Sequence, residues 1–90
     1  MDGKELHLVI LSPEKTLFDG PVKWIDFPGE AGRFQILLNH AAIISSLAEG
    51  EIKYQCGEAQ FRVKRDIQSL NIKGGFVEVK NNLVSVCVEL

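Results

Sequence analysis

Few residues in this sequence are of the types that carry out chemistry at a protein site. Its thiol and imidazole groups are Cys56, Cys87, His7 and His40. A metal site needs such groups clustered at ligand spacing, because a bound ion takes several ligands at once. The two histidines are far apart in the sequence, and so are the two cysteines. We therefore expect no metal site.

A cysteine and a histidine can also form a catalytic pair, since such partners meet in space rather than in the sequence. Cys87 stands in the middle of an alternating valine strand, which favours a small apolar side chain in or near the core. A thiol enzyme that uses Cys87 or Cys56 with His40 stays open as a hypothesis. The cysteines lack Cys-x-x-Cys spacing and are too few for a disulfide framework, so we expect both to be reduced.

Two segments superficially resemble anion-binding motifs. Residues 29–32 have the glycines of a phosphate loop but lack its lysine and hydroxyl residues, which favours a backbone turn. Arg62, Lys64 and Arg65 stand beside Asp66, a pattern typical of a solvated strand end. With 10 basic and 12 acidic residues, the chain lacks the basic surface that nucleic-acid binding needs. We expect no catalytic residue, no cofactor and no nucleic-acid partner.

An alternation of apolar and polar residues with a period of two predicts β-strands rather than helices. Leu6, Leu8 and Ile10, for example, share one face of the first predicted strand. No window sustains the apolar spacing of three to four residues that a helix requires. The predicted strands cover residues 6–11, 16–18, 22–27, 34–38, 42–44, 51–54, 59–64, 67–72, 76–79 and 84–88.

Turn-forming residues separate these strands. Gly20-Pro21 is expected to bend one extended stretch by a bulge or kink, and residues 28–32 form a tight loop. Asn39-His40 suits a loop, whereas residues 55–58 and 80–82 suit hairpin turns. With 90 residues, of which 46% are hydrophobic, the chain has room for one domain around one core. These patterns predict an all-β sandwich or barrel.

The N-terminal segment has no pattern of an export signal. Its apolar run, Leu6–Leu11, is much shorter than a signal-peptide core with its flanks or a membrane span. We expect the protein to stay in the compartment where it is made.

Several predicted strands are apolar on both faces. Val9 and Leu11 lie opposite the core-facing leucines of the first strand. In the next strand Trp24 shares a face with Val22, and Phe27 lies on the other face. A half-exposed antiparallel strand normally has a polar outer face, so another part of the domain or a partner must cover these residues.

Five motifs together carry a resemblance to a known family. They are Ser12-Pro13-Glu14, Leu17-Phe18-x-Gly20, Pro28-Gly29-Glu30-Ala31-Gly32-Arg33-Phe34, Leu38-Asn39-His40-Ala41 and Gly74-Gly75-Phe76-Val77-Glu78-Val79. In the order and spacing of these motifs, along essentially its whole length, the chain closely resembles the N-terminal domain of the epsilon subunit of rotary ATP synthases.

The resemblance implies a fold and a function. The fold is a flattened two-sheet antiparallel β-sandwich of about ten short strands, with residues 1–90 as a single domain. The function is that of a non-catalytic central-stalk rotor subunit of F-type ATP synthase. It joins the gamma subunit to the c ring, so that ring rotation driven by protons or sodium ions reaches the catalytic head. The implied place is the cytoplasmic face of the bacterial inner membrane, with indirect attachment through the complex.

The resemblance also implies contact residues for the c ring, which are Glu30, Arg33 and His40 in two loops. Family members often have glycine at the position of Gln35, proline at that of Leu38 and an acidic or other polar residue at that of Arg33. Arg33 therefore reverses the sign of a ring contact. For His40, capping of its own loop is an equal alternative to ring contact.

A partner surface that is apolar in the middle and polar at the rim would give the surplus apolar residues a use. The expected contacts with gamma are Val9, Leu11, Trp24 and Phe27. Most family members continue after the last strand into a helical hairpin that inhibits ATP hydrolysis, whereas this sequence ends at Leu90. We expect a short form without that hairpin. A generic β-sandwich adaptor that binds other proteins is the alternative function.

Overall fold

The computed structural model describes residues 4–57 and 67–90, and within them the chain forms eight β-strands and no helix. The strands are β1 (Leu6–Leu11), β2 (Thr16–Gly29), β3 (Gly32–Ile36), β4 (Ile43–Leu47), β5 (Gly50–Cys56), β6 (Ile67–Ile72), β7 (Gly74–Lys80) and β8 (Leu83–Glu89). The strand predicted over residues 59–64 lies outside the described residues. Residues 55 and 56, predicted as part of a turn, belong to β5.

The period-two pattern of the sequence is the pattern of burial in the structure. In β1, Leu6, Leu8 and Ile10 are buried, whereas the residues between them are partly exposed. β8 repeats the pattern, with Val84 and Val86 fully buried. Alternate residues of a strand point to opposite faces, so each of these strands turns one apolar face to a common core. The predicted all-β architecture is confirmed.

The two layers of the fold share β2, a strand of 14 residues. Its first half pairs with β1, and its second half pairs with β3 on one edge and β5 on the other. The first sheet therefore runs β4–β7–β8–β1–β2, and the second runs β3–β2–β5–β6. The core lies between them. This is the predicted two-sheet sandwich, and its strands pair antiparallel except for β1 and β8, which pair in parallel.

β2 is one extended stretch, as predicted, but its irregularity lies just beyond Gly20-Pro21. Between Val22 and Trp24 it has one residue more than the facing strand β5. An extra residue of this kind shifts the alternation of the side chains that follow. Val22 and Ile25 consequently both lie in the core, and the prediction that Val22 and Trp24 share a face is wrong.

The core is made of aliphatic side chains and two aromatic rings from both sheets. Its members are Leu6, Leu8, Ile10, Val22, Ile25, Phe27, Ile36, Leu47, Ile52, Tyr54, Ile72, Val77, Val79, Val84, Val86 and Val88. The ring of Phe18 packs against Tyr54, with ring centroids 4.7 Å apart. Burial, with a smaller contribution from the nearby Cys56 thiol, raises the pKa of the Tyr54 hydroxyl. Among the described residues, no buried polar side-chain atom lacks a hydrogen-bond partner.

Gly75 is required where β7 packs closely on β8. Its φ of +152° is rare for residues with a side chain, and a Cβ at this position would overlap the carbonyl oxygen of Cys87.

We expect Gly75→Ala to lower the free energy of unfolding by more than about 2 kcal/mol, because backbone strain and overlap add. Chemical denaturation followed by circular dichroism measures the change.

Gly32→Ala is the matched control for this prediction. Gly32 also has a positive φ, +129°, but a Cβ there would meet no atom within 4 Å. The Gly32→Ala variant has the backbone strain without the overlap. Its free energy of unfolding should therefore fall by less, about 1 kcal/mol. If both variants lost the same free energy of unfolding, the overlap with the carbonyl oxygen of Cys87 would make no contribution, and the prediction for Gly75 would be wrong.

Candidate docking surface

Three side chains line up across the outer face of the first sheet. In the register of the strands, Leu11 of β1 lies opposite Cys87 of β8, and Cys87 lies opposite Phe76 of β7. Phe76 is 53% exposed, Leu11 is 37% exposed and Cys87 is partly buried. We call these three residues the apolar patch. An aromatic ring and a leucine, exposed on either side of a cysteine, are the type of surface that partners cover.

The apolar patch forms part of a shallow depression of about 500 Å³. Ser12, Pro13, Gly75, Val88 and Glu89 complete its lining. Polar and charged groups therefore stand at the border of the apolar residues. This arrangement of an apolar centre and a polar border matches the anatomy of protein–protein interfaces.

The neighbouring row of the same face is mixed in character. Val9 lies opposite Ser85, which lies opposite Glu78, and Ile44 of β4 follows next in the register. Ile44 is 75% exposed, but Glu78 and Ser85 separate it from Val9. The apolar surface is thus concentrated at the apolar patch and does not extend over the whole sheet.

The structure does not bring the four expected gamma contacts together. Val9 and Leu11 lie on the outer face of the first sheet, next to or within the apolar patch. Trp24 belongs to the second sheet, where its Nε1 donates a hydrogen bond of 2.9 Å to Oε1 of Gln55. Phe27 is 0% exposed, so it has no surface to offer to a partner, and the prediction for this residue is wrong. Its apolar character serves the core.

Phe76 is the residue that the sequence analysis missed. Val77 and Val79 of β7 are buried, so Phe76 and Glu78, which alternate with them, must point outward. A large aromatic residue on the water-facing side of a strand was therefore visible in the sequence. The alternation of Phe76 and Glu78 with two valines is the signal that identifies it.

Arg33 holds three strands together. Its Nη2 donates a hydrogen bond of 2.6 Å to the carbonyl oxygen of Glu51 in β5, and its Nε lies 3.3 Å from Oδ2 of Asp26 in β2. Arg33 itself belongs to β3, so its guanidinium joins β3, β2 and β5 on the outer face of the second sheet. A guanidinium suits this role because its donors form a rigid fork.

Glu30 and His40 lie at opposite ends of β7. Glu30 is in the turn between β2 and β3, and the end of β2 reaches the start of β7 through β4. The loop with His40 is bonded to Asn82, in the turn after β7. β7 has seven residues and thus spans about 20 Å. The residues expected to contact the c ring are therefore dispersed over the domain.

His40 forms two hydrogen bonds within its own loop. Its N–H donates to the carbonyl oxygen of Leu37 at 3.2 Å, which closes a turn. Its Nδ1 lies 2.8 Å from the carbonyl oxygen of Ala41. Because a carbonyl oxygen only accepts, Nδ1 carries the hydrogen, and Nε2 is the nitrogen left for a second chain. His40 thus stabilises its loop and still has one ring nitrogen for a contact.

The structure does not bring Cys87 and His40 into one site. Cys87 pairs with Phe76 near the start of β7, at the end of that strand opposite to the loop with His40. Neither Cys56 nor Cys87 forms a disulfide. Among residues 4–57 and 67–90, no group of three or more His, Cys, Asp or Glu could hold a metal ion. The same residues include no helix that is long and apolar enough to cross a membrane.

Two β-layers around an apolar core, with an exposed apolar patch on one outer face, define a small β-sandwich with a candidate docking surface. The family model for the β-sandwich domain of the ATP synthase delta/epsilon chain matches residues 5–90, and the chain belongs to that family. The resemblance of the five sequence motifs is thereby confirmed.

Curated relatives show the same relationship. The chain is 35% identical to the ATP synthase epsilon chain of Leptospira borgpetersenii over 89 residues, which are 99% of this chain and 65% of the relative. It is 33% identical to the epsilon chain of a Synechococcus species over 79 residues, 88% of this chain and 52% of that one. The chain thus spans about two thirds or less of the length of these relatives.

Solved structures share the fold. A chain in the Euglena gracilis mitochondrial ATP synthase superposes with a TM-score of 0.79 and 19% identity, over 98% of this chain and 54% of that one. A chain in the central stalk and c-ring structure of the Tetrahymena thermophila mitochondrial ATP synthase gives a TM-score of 0.76 and 19% identity, over 100% and 67%. At this identity the similarity shows the fold alone.

The bonds of Arg33 predict a structural role that stability measurements can test. We expect Arg33→Ala to lower the free energy of unfolding by about 1 kcal/mol, because the carbonyl of Glu51 and the carboxylate of Asp26 both lose a charged donor. Arg33→Lys should recover only part of this loss, since an ammonium cannot reproduce the fork. Thermal and urea denaturation measure both variants.

Lys53→Ala is the matched control, because Lys53 is a cation on the same face. Its Nζ lies 3.7 Å from the carboxylate of Glu51, a single exposed ion pair. We expect a change below about 0.5 kcal/mol. If Arg33→Ala were as mild as this control, Arg33 would hold no strands together and its side chain would be free for a partner.

Proposed function

We propose that this chain is a non-catalytic rotor subunit of an F-type ATP synthase. In this role it joins the gamma subunit to the c ring, so that rotation driven by a proton or sodium gradient reaches the catalytic head. The observation that carries the proposal is the family match over residues 5–90, together with relatives that are epsilon chains. The epsilon-type β-sandwich of residues 1–90 is the unit that performs it.

The architecture suits a part that passes on torque. A coupling element must keep its shape under load, and close-packed interiors have low compressibility. Here β2 belongs to both sheets, so a force on one layer reaches the other through a continuous backbone. No chemical step is required of the chain in this role. Its work is to hold two partners in a constant relative position.

The apolar patch is the surface that we assign to gamma. Leu11 and Phe76 are exposed on either side of Cys87, and the depression that these residues line can accept a side chain of a partner. Val9 lies in the adjoining row and would contact the border of the same interface. Trp24 lies on the other sheet with its indole N–H already bonded, and we assign it no part in this contact.

The loop that contains His40 is the surface that we assign to the polar loops of the c ring. It is an exposed loop whose imidazole keeps Nε2 available. Arg33 is held by β2 and β5, and Glu30 lies about 20 Å away along β7. The location that goes with this proposal is the cytoplasmic face of the bacterial inner membrane, with attachment to the membrane through the complex.

Charge in the apolar patch tests the gamma assignment. We expect Phe76→Asp to weaken binding to the gamma subunit at least about tenfold, because a carboxylate must be desolvated where an aromatic ring was buried. Leu11→Asp should have the same direction of effect. Calorimetry or surface plasmon resonance with purified gamma gives the dissociation constants. Circular dichroism confirms that each variant is folded, since both residues are exposed in the free domain.

Ile44→Asp is the control, because Ile44 is an exposed apolar residue of the same sheet outside the apolar patch. The Ile44→Asp variant should bind gamma with the same affinity as the unaltered chain. Unchanged binding by a folded Phe76→Asp variant would contradict the assignment of the surface. An unaltered chain that binds neither gamma nor the c ring would contradict the rotor role itself and favour a generic adaptor.

A further inference from the structure

Two asparagines that are distant in the sequence form a reciprocal pair of hydrogen bonds. The backbone N–H of Asn39 donates to Oδ1 of Asn82 at 2.6 Å, and Nδ2 of Asn82 donates to Oδ1 of Asn39 at 3.2 Å. Asn39 lies in the loop between β3 and β4, and Asn82 lies in the turn between β7 and β8. We call this pair the asparagine clamp.

Both members of the asparagine clamp have left-handed backbone conformations. The φ angles of Asn39 and Asn82 are +66° and +65°. Asparagine is, after glycine, one of the residues that most readily adopt this conformation. Asn39 is the third residue of the turn that the bond from His40 to Leu37 closes, a position that requires positive φ in a type II turn. Asparagine thus supplies the turn geometry and the amide group together.

The asparagine clamp is anchored on the sheet. The carbonyl oxygen of Asn82 accepts a hydrogen bond of 2.9 Å from the N–H of His7 in β1. The turn that contains Asn82 joins Lys80 of β7 to Leu83 of β8, which pair directly. Asn82 is therefore held by three strands, whereas the hydrogen bonds of His40 reach only within its own loop.

We propose that Asn82 is a positioning residue for the loop between β3 and β4, which contains His40. The asparagine clamp holds that loop against the end of the first sheet, so His40 is presented to the polar loops of the c ring in one fixed place. Asn82 acts through Asn39 and need not touch the ring. The inference rests on the proposed function, because it assigns to the asparagine clamp the control of the contact with the c ring.

Energetic reasoning supports this assignment. A loop that is ordered before binding loses less conformational entropy when it binds. Two hydrogen bonds, one of them donated by a backbone N–H, are enough to restrict a short loop whose other bonds are local. Loss of the asparagine clamp should therefore weaken ring binding while the gamma surface, at the apolar patch, is unaffected.

The test compares Asn82→Gly with Asn81→Gly. Glycine keeps the positive φ at either position and removes the amide. Asn81 is the neighbouring residue in the same turn, with φ +52°, and lies outside the asparagine clamp. We expect Asn82→Gly to bind a detergent-solubilised c ring about tenfold more weakly, with unchanged affinity for gamma. Asn81→Gly should bind both partners like the unaltered chain.

Two further variants separate positioning from a loss of folding. Asn82→Asp keeps the oxygen that accepts from Asn39 N–H and tolerates the same backbone conformation, so it should restore most of the ring affinity. Asn39→Gly with Asn82→Gly should be no weaker than Asn82→Gly alone, because both changes break one device. Amide hydrogen exchange of residues 37–42 reports whether the loop has been released.

The outcomes distinguish the inference from the function on which it rests. Normal ring binding by Asn82→Gly, with rapid exchange in residues 37–42, would overturn the positioning role and leave the rotor role intact. Equal weakening toward gamma and the ring would show a general loss of structure and would also overturn the inference. If the unaltered chain failed to bind the ring, the proposed function and the inference would both be wrong.

Discussion

The fold depends on β2, which keeps a paired strand beside it as it passes from one sheet to the other. Its first half needs β1, and its second half needs β3 and β5. The extra residue between Val22 and Trp24 lets the strand make this passage without turning its apolar residues to water. Every other strand takes its register from β2 directly or through a neighbour, so this passage also decides which residues lie outside.

The exposed surfaces follow from that register. β1 is fixed by β2, β8 by β1 and β7 by β8, and this chain of pairings puts Leu11 next to Cys87 and Phe76. The same pairings bring the turn with Asn82 to the loop with Asn39. The surface proposed for gamma and the loop proposed for the c ring thus both depend on the pairings of one sheet, which is the relation that a rigid coupling element would need.

Sequence patterns predicted those features that depend on near neighbours. Alternation was enough for the buried faces of β1, β7 and β8, because side-chain direction in a strand has a period of two. It failed at Val22, where an extra residue opposite β5 shifts the phase, and a bulge depends on the partner strand as much as on its own residues. The parallel pairing of β1 with β8 and the bond from Asn39 to Asn82 also join segments that are distant in the sequence, so no local sequence pattern predicts them. For the site, resemblance could not show that Phe27 is buried or that Arg33 belongs to β3 and is bonded within the domain.

The central claim is that gamma covers the apolar patch, and the chain contains its own reporter for it. Cys87 belongs to the apolar patch, whereas Cys56 lies at the end of β5, so alkylation of both thiols can be followed by mass spectrometry with and without gamma. The account predicts that saturating gamma slows alkylation of Cys87 at least about tenfold and leaves Cys56 unchanged. Alkylation of Cys87 at the same rate in the gamma complex as in the free chain would contradict it.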